Sequence, residues 1–379
     1  MQRHVFLKAA VIEGGRRVID SIYDAVRIGI RRGGGAVRVQ AFLRLALTCP
    51  PFGMAVLLTA GMVLVNGGTD APNAIAGCVA SRAIRLKPAV RLAAVCNLLG
   101  ALAASLRPAV ADTVAGLADF GTGQEAVLAL CAGMTAVVVW SAAAWMLGLP
   151  TSESHALIAG LSGASMAVHH GFGGLCWMPW RRTLIGLLLS TLPAFLAGMT
   201  ANRLIVRLNR AKDRRRQAAL FRRAQIMGGA AMAFAHGAQD GQKFTGVLLL
   251  SASLAQQTDL GAAPLWLTAA VALLMAAGTS LGGQKIIRTV GVRMSRPEPY
   301  VSVAADLSAA VLLTGAALTG IPASTTHGKT AALMGSAAAR RMRAVNWRVA
   351  GEMAWAWVLT FPGCAAAGYI AARIFLRMG

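Results

Sequence analysis

Two nine-residue stretches place hydroxyl groups and an imidazole together inside apolar sequence. The first is Gly148-Leu149-Pro150-Thr151-Ser152-Glu153-Ser154-His155-Ala156, and the second is Gly320-Ile321-Pro322-Ala323-Ser324-Thr325-Thr326-His327-Gly328. The interval from Pro150 to Pro322 is also that from Ser152 to Ser324 and from His155 to His327. A proline that opens a helix and is followed by hydroxyl residues leaves free backbone N–H groups facing forward. Each stretch therefore predicts half of an anion site, with Thr151, Ser152, Ser154, Ser324, Thr325 and Thr326 as further donors. His155 and His327 are groups that titrate near neutral pH.

A second pair of polar stretches recurs at nearly the same interval. Asn66-Gly67-Gly68-Thr69-Asp70-Ala71-Pro72-Asn73-Ala74 is matched by His236-Gly237-Ala238-Gln239-Asp240-Gly241-Gln242-Lys243, with Asp70 answering to Asp240. An ionisable residue inside a membrane costs several kcal/mol, so function is its default reading. Asp70, Asn73 and Asp240 offer hard oxygens suited to a small cation such as Na+. Gln242, Lys243 and Glu153 belong with them as coupling or cation-site residues, and Asn66, His155, His236 and His327 as supporting groups. Lys243 and Lys329 supply positive charge for an anion or neutralise the nearby acids. Taken singly, a Ser or Thr in a membrane helix commonly bonds its own i−4 carbonyl, and a His commonly acts as a packing donor. The recurrence of both motifs at one interval lifts them above that reading.

The elements that must hold these residues are membrane helices. The chain of 379 residues is 56% hydrophobic and 13% charged, with a mean hydropathy of +0.59, against about 25% charged for a soluble protein. Apolar runs at 51–65, 89–106, 126–147, 183–200, 262–281, 301–318 and 350–375 approach or reach spanning length. No ten-residue alternation recurs, which sets strands aside. The expected class is all-α, a polytopic membrane protein. A net charge of +23 reflects Lys and Arg gathered in short loops, as topology demands, and not nucleic-acid binding. The six cysteines show no C-x-x-C pair and read as small buried hydrophobes. No secretory signal is expected, since the first 44 residues lack an uninterrupted apolar core.

The repeated interval predicts an internal duplication. A basic extension occupies 1–50, repeat 1 covers 51–205, a basic cytosolic linker covers 206–223, and repeat 2 covers 224–379. The loops at 82–91, 203–223, 285–296 and 340–348 are basic and fall on one side, while those near 112–124 and 256–261 fall on the other. The positive-inside rule makes the former cytosolic. About five spans per half then give inverted topology, with discontinuous or re-entrant helices carrying a midplane site. Glycine and proline around Asp70 predict unwound backbone there, and the Asp240 stretch is expected to match it. Two features resist this plan: the basic 1–50 extension and Arg181-Arg182 both count to the outer side. Residues 18–26 have the apolar spacing of a short interfacial helix, with a floppy extension or a misassigned start as equal alternatives.

Four ordered motifs carry a resemblance that spans nearly all of 51–379. Asn66-Gly67-x-x-Asp70-x-x-Asn73-Ala74, Gly-Leu-Pro-x-Ser-x-Ser-His at 148–155, His236-Gly237-x-x-Asp240-Gly241-Gln242-Lys243, and Gly320-Ile321-Pro322-x-Ser324-Thr325-Thr326-His327 resemble the inorganic phosphate transporter (PiT) family. The Asp-Gly-Gln-Lys form is similar to its bacterial low-affinity branch. The resemblance implies a symporter, not an enzyme, in a bacterial inner membrane, which carries phosphate with H+ or Na+ and needs no cofactor. It places phosphate on the Ser/Thr helix starts and the cation on Asp70, Asn73 and Asp240. Partners compatible with it are phosphate, free or as a neutral metal complex, the bilayer, a second copy in a homodimer, and a cytosolic accessory protein. This sequence departs from the pattern at Glu153, where relatives carry a small hydroxyl residue, at Gln239 and at Ala71-Pro72. Lys243 replaces a cation-ligating Asn of the sodium branch, and its ammonium repels a second sodium ion, which favours protons or a metal–phosphate complex. Sulfate is the alternative substrate, since the motifs do not separate tetrahedral oxyanions. A channel lacks its continuous polar file, and a membrane metalloenzyme lacks His pairs at ligand spacing.

Overall fold

The computed structural model describes residues 39–378 apart from 210–213, 259, 262, 282 and 296. The stretch 18–26, with its alternatives of interfacial helix and floppy extension, lies outside the described residues, as does the centre of the linker. The described residues form helices joined by turns and short loops, with no strand and one isolated bridge between Ala118 and Leu175. The last part of the N-terminal extension forms α1 (Val39–Thr48). Its Phe42 is buried, edge-on to Phe52 at 5.1 Å and to Trp266 at 5.2 Å.

The first half continues with α2 (Pro50–Ala80), α3 (Leu86–Ala104), the short α4 (Ala109–Ala115), α5 (Gly123–Leu147), α6 (Glu153–Val168), α7 (Trp177–Leu189) and α8 (Leu192–Leu208). The second half has α9 (Arg214–Gln256), α10 (Leu265–Leu281), α11 (Gln284–Ile287) running into a π-helical turn at Arg288–Met294, α12 (Pro299–Leu318), α13 (Thr325–Ala338) and α14 (Trp347–Met378). Among the described residues, six units are long and apolar enough to cross a membrane: α2, α3, α5, α7 with α8, α12 and α14. The pair formed by α10 and Gln284–Met294, bent by 67°, makes a seventh. The 43-residue α9 is too polar for that count, yet residues 235–248 are all buried. It is sheathed by protein, where a polar helix costs little.

The element order repeats. In each half a polar-centred long helix (α2, α9) precedes an apolar one (α3, α10). A hairpin of a full-length helix with a shorter buried one follows (α5–α6, α12–α13), and then a closing unit (α7–α8, α14). The halves interlock, because α6 packs on α14 of the second half and α13 packs on α8 of the first. These contacts need glycine. A Cβ added at Gly163 would meet the Ala365 backbone, and one added at Gly335 would meet the Phe195 backbone. Each hydrophobic core accordingly encloses one short hairpin helix. One core holds Ala156, Leu157 and Leu161 with Cys364, and the other holds Ala331, Ala332 and Leu333 with Ala194. The polar motifs lie where the two cores meet.

One expectation fails. Neither Asp70 nor Asp240 sits in unwound backbone: α2 is a single helix of 31 residues with Pro72 inside it, and α9 is also continuous. Pro72 cannot donate to the Gly68 carbonyl one turn back. Gly283, at the bend before α11, packs against the Pro72 ring and against that carbonyl, and a Cβ there would stand 2.7 Å from it. Tertiary packing therefore shelters the weak point that composition predicts would unwind. The discontinuities lie instead at 148–152 and 319–324, the corners of the two hairpins.

Candidate anion and cation site

The corners are built alike. Gly148 closes α5 at φ 69°, and Gly320 follows α12 at φ 71°, a left-handed turn that only glycine adopts without strain. Extended backbone then leads to Ser152 and Ser324, which cap α6 and α13. Ser152 Oγ accepts from His155 N at 3.3 Å, and Ser324 Oγ accepts from His327 N at 3.2 Å. Sequence places the prolines at the helix starts, but they lie two residues ahead of the caps. A serine can satisfy an orphan N–H and a proline cannot, so the serines set the first turns. At each cap the N–H groups of the first two helical residues still lack intrahelical acceptors. These belong to Glu153 and Ser154, and to Thr325 and Thr326.

The two caps meet. Ser152 Oγ and Ser324 Oγ are 2.8 Å apart, so α6 and α13 abut N-terminus to N-terminus. From there they diverge. The end of α6 joins Asp119 of the poorly basic loop through Ser165 Oγ and His169, whereas α13 runs to the basic Arg340 and Arg341. Two positive helix ends aimed at one point attract an anion. The Ser324 N–H is held by Ser190 Oγ at 2.9 Å, a support from α8's approach that no motif pointed to.

Beside the caps lies a buried charge cluster. Lys243 Nζ donates to Asp240 Oδ1 at 2.7 Å, to Ser154 Oγ at 2.6 Å and to the Ala323 carbonyl at 2.7 Å. It thereby ties α9 to both corners. Asp240 Oδ2 accepts from Asn66 Nδ2 at 3.1 Å and from Thr325 Oγ1 at 3.2 Å, and lies 3.3 Å from His236 Nε2. His236 Nδ1 is 3.0 Å from Asn97 Oδ1, so the Asn97 amide sets which ring nitrogen faces Asp240. Asp70 and Thr326 are neighbours, and Glu153 lies beside Asn66 and Ser141 with Asp70 close by. Asp70, His236 and Asp240 present ligand atoms within 4.8 Å of one another, a donor set that fits a cation. Asn73, also buried, has an amide without a partner in the structure.

Not every expected residue joins. Gln242 serves packing: its Oε1 accepts from Val110 N at 3.0 Å at the start of α4, and its Nε2 donates to the Ala238 carbonyl. Thr151 is buried in the extended corner. The rings of His155 and His327 meet edge to face with centroids 4.2 Å apart, and Trp357 covers His327 at 3.8 Å. They form an aromatic wall behind the caps. Trp357 Nε1 also donates to the Pro150 carbonyl at 2.9 Å, which pins the first corner to α14. Lys329 does not reach the site, because it pairs with Asp306, a carboxylate that the motifs do not include and that sits within an apolar run. The signal for Asp306 is present in the sequence, since a lone acid in a spanning segment demands a partner.

A polytopic helical protein with two opposed helix starts and buried, countercharged carboxyls at their junction has the construction of a secondary transporter. Residues 66–368 match the family described as "Phosphate transporter family". A probable low-affinity inorganic phosphate transporter of Bacillus subtilis (strain 168) is 33% identical over 84% of this chain and 95% of its own length. The protein of that description from Mycobacterium bovis is 37% identical over 78% of this chain and 71% of its own length. Among solved structures, one titled "The sodium-dependent phosphate transporter" superposes with a TM-score of 0.77 at 20% identity, covering 86% of this chain and 98% of that one. The chain belongs to the phosphate transporter family and is a multi-pass membrane transporter, not an enzyme.

Proposed function

We propose that inorganic phosphate binds between Ser152 and Ser324, replacing their mutual hydrogen bond, and is carried inward with protons. The contact between the two caps carries this reading. It brings hydroxyls of Ser152, Ser154, Ser324 and Thr325 and four free backbone N–H groups around one point, with Lys243 as the adjacent positive charge. A tetrahedral anion can use donors from several directions, which this junction supplies. The halves 51–205 and 224–379 act as inverted repeats in this reading, supported by the repeated element order and the opposed courses of α6 and α13. The bacterial relatives support a plasma-membrane location.

Asp70, Glu153 and Asp240 form the coupling group. Three carboxyls against one ammonium leave the site short of positive charge, so an anion joins only when protons or cations come with it. Protons are favoured because Lys243 already occupies Asp240 Oδ1, where a sodium ion would meet direct repulsion. Phosphate uptake by proteoliposomes should persist when sodium is replaced by potassium at constant pH, and collapse when the pH gradient is dissipated. Loss of uptake on sodium removal alone would overturn proton coupling. Sulfate is the second substrate to test, since the donors do not discriminate between tetrahedral oxyanions. Unlabelled sulfate that competes as well as phosphate would shift the assignment.

A further inference from the structure

Between the site and the basic rim lies a second polar cluster that the reading above does not use. Lys329 of α13 and Asp306 of α12 are in direct contact, both fully buried. Asp306 Oδ2 accepts from Gln225 Nε2 at 2.7 Å, and that amide also reaches Cys78 Sγ at 3.3 Å. The Ser302 hydroxyl, one turn before Asp306, has no partner and faces the same point, as a Cβ added at Gly77 would meet both Ser302 and Gln225. Three of the four helices, α2, α9 and α13, also carry the site. Lys329 follows Ser324 by five residues, about 7.5 Å along α13, and Cys78 follows Asp70 by eight, about 12 Å along α2. Both displacements lead toward the basic end. Beyond the cluster at that end, Arg222 Nε holds the Ala83 carbonyl and Arg340 pairs with Glu298.

The other half supplies an internal control. At the interval that relates Ser152 to Ser324, Lys329 corresponds to Leu157 and Asp306 to Met134, both buried apolar residues of the opposite core. The hairpin therefore packs well without charge. Replacing a buried ion pair by apolar residues is commonly neutral or stabilising, so folding gives no reason for this pair. It is present on one side only, and that side faces the cytosol by the distribution of arginines.

We infer that Lys329 is a second anion-binding residue, which receives phosphate on its way from the Ser152–Ser324 junction to the cytosol, with Asp306 as the group it releases to do so. An anion leaving the caps otherwise enters an apolar interior where its charge is uncompensated. Lys329 offers the next positive charge, and Gln225 and Ser302 offer neutral donors beside it. Asp306 keeps the stop shallow: it competes for the ammonium, so phosphate is admitted and then expelled, as conduction through successive sites requires.

The inference rests on the phosphate reading, and its test separates the two. Wild type and a double variant, Lys329→Leu with Asp306→Met, are compared in proteoliposomes and in detergent. The double variant copies the residues of the other half and leaves no charge unpaired. Equilibrium binding of radiolabelled phosphate should stay within about threefold of wild type while uptake falls at least tenfold. Uptake at the wild-type rate would overturn the inference. Should the double variant fail to fold, Lys329→Arg decides: it keeps the charge and should retain uptake, and its loss would overturn the proposal. A chain whose only cysteine is Cys78 gives a further reading. Saturating phosphate should protect that thiol from a charged thiosulfonate reagent applied at the cytoplasmic face, and lack of protection counts against an anion at this level. Wild-type vesicles that carry sulfate and not phosphate would refute the phosphate reading alone, and the same comparisons would then be made with sulfate.

Discussion

Replacing Lys243 by Asn should convert the transporter to one that needs sodium. The Lys243 ammonium is 2.7 Å from Asp240 Oδ1 and also holds Ser154 and the Ala323 carbonyl. At that distance, with an effective dielectric of about 20, the attraction to Asp240 is about 6 kcal/mol. Desolvation consumes part of it, and breaking a buried pair from one side costs about 3–5 kcal/mol in practice. Lys243→Asn should lose stability of that order. It would also leave Asp240, Ser154 and the Ala323 carbonyl as oxygens around a space the size of an ammonium. Sodium at one hundred times its dissociation constant would then restore about 2.7 kcal/mol. The assay has two arms at fixed pH: thermal unfolding of the purified variant in sodium and in potassium, and phosphate uptake in both. Wild type should be indifferent to sodium in both arms, and the variant should gain stability and uptake from it. A variant that ignores sodium in both arms would refute the idea that the ammonium stands in for a bound cation.

Four further outcomes follow from the geometry. Asp70→Asn keeps the volume and removes the charge beside Thr326, so coupled uptake should be abolished while a monodisperse gel-filtration peak is retained. Ser324→Ala with Thr325→Ala removes a cap hydroxyl and a donor to Asp240, each worth about 1–2 kcal/mol. The phosphate KM should rise at least tenfold in uptake assays, and an unchanged KM would make these hydroxyls packing groups. Gln242→Ala should lower thermal stability by about 1–3 kcal/mol through the orphaned Val110 N–H, with coupling to the cation unchanged. Gly163→Leu or Gly335→Leu should prevent assembly, read as aggregation on gel filtration, since each Cβ would enter the backbone of the other half.

Much of the site was legible because its chemistry is local. Ser152 and Ser324 cap helices within three residues of themselves, and the interval they share with the prolines and histidines marks them as equivalents. What failed to show in sequence depended on distant partners. The continuity of α2 through Pro72 rests on Gly283, which belongs to the other half of the chain. Gln242 looked like a member of the cation motif because it adjoins Lys243, but its acceptor is committed to Val110. Asp306 was diluted by the apolar run 301–318, and its pairing with Lys329 appears only once α12 and α13 fold back on each other. The prolines misled in a smaller way. Their preference for first helical turns is real, but a serine two residues later competes and prevails.

The charges refine the symmetry the motifs announced. The first half brings Asp70 and Glu153 to the junction without a basic residue, while the second brings Asp240 already paired with Lys243. In the proposed mechanism a fixed ammonium cannot enter and leave with the substrate, so within the coupling group Asp240 would stay compensated throughout the cycle. The variable charge of that mechanism would fall to the carboxyls of the first half, whose neighbours are the amide of Asn66 and the hydroxyls of Ser141 and Thr326. Phosphate bound at the junction as proposed would bring negative charge to the same few ångströms, so its occupancy and the protonation of Asp70 and Glu153 would favour each other by Coulomb attraction alone. Coupling in this arrangement needs no separate relay. It follows from two half-sites that share a backbone plan and differ in which of them holds a permanent cation.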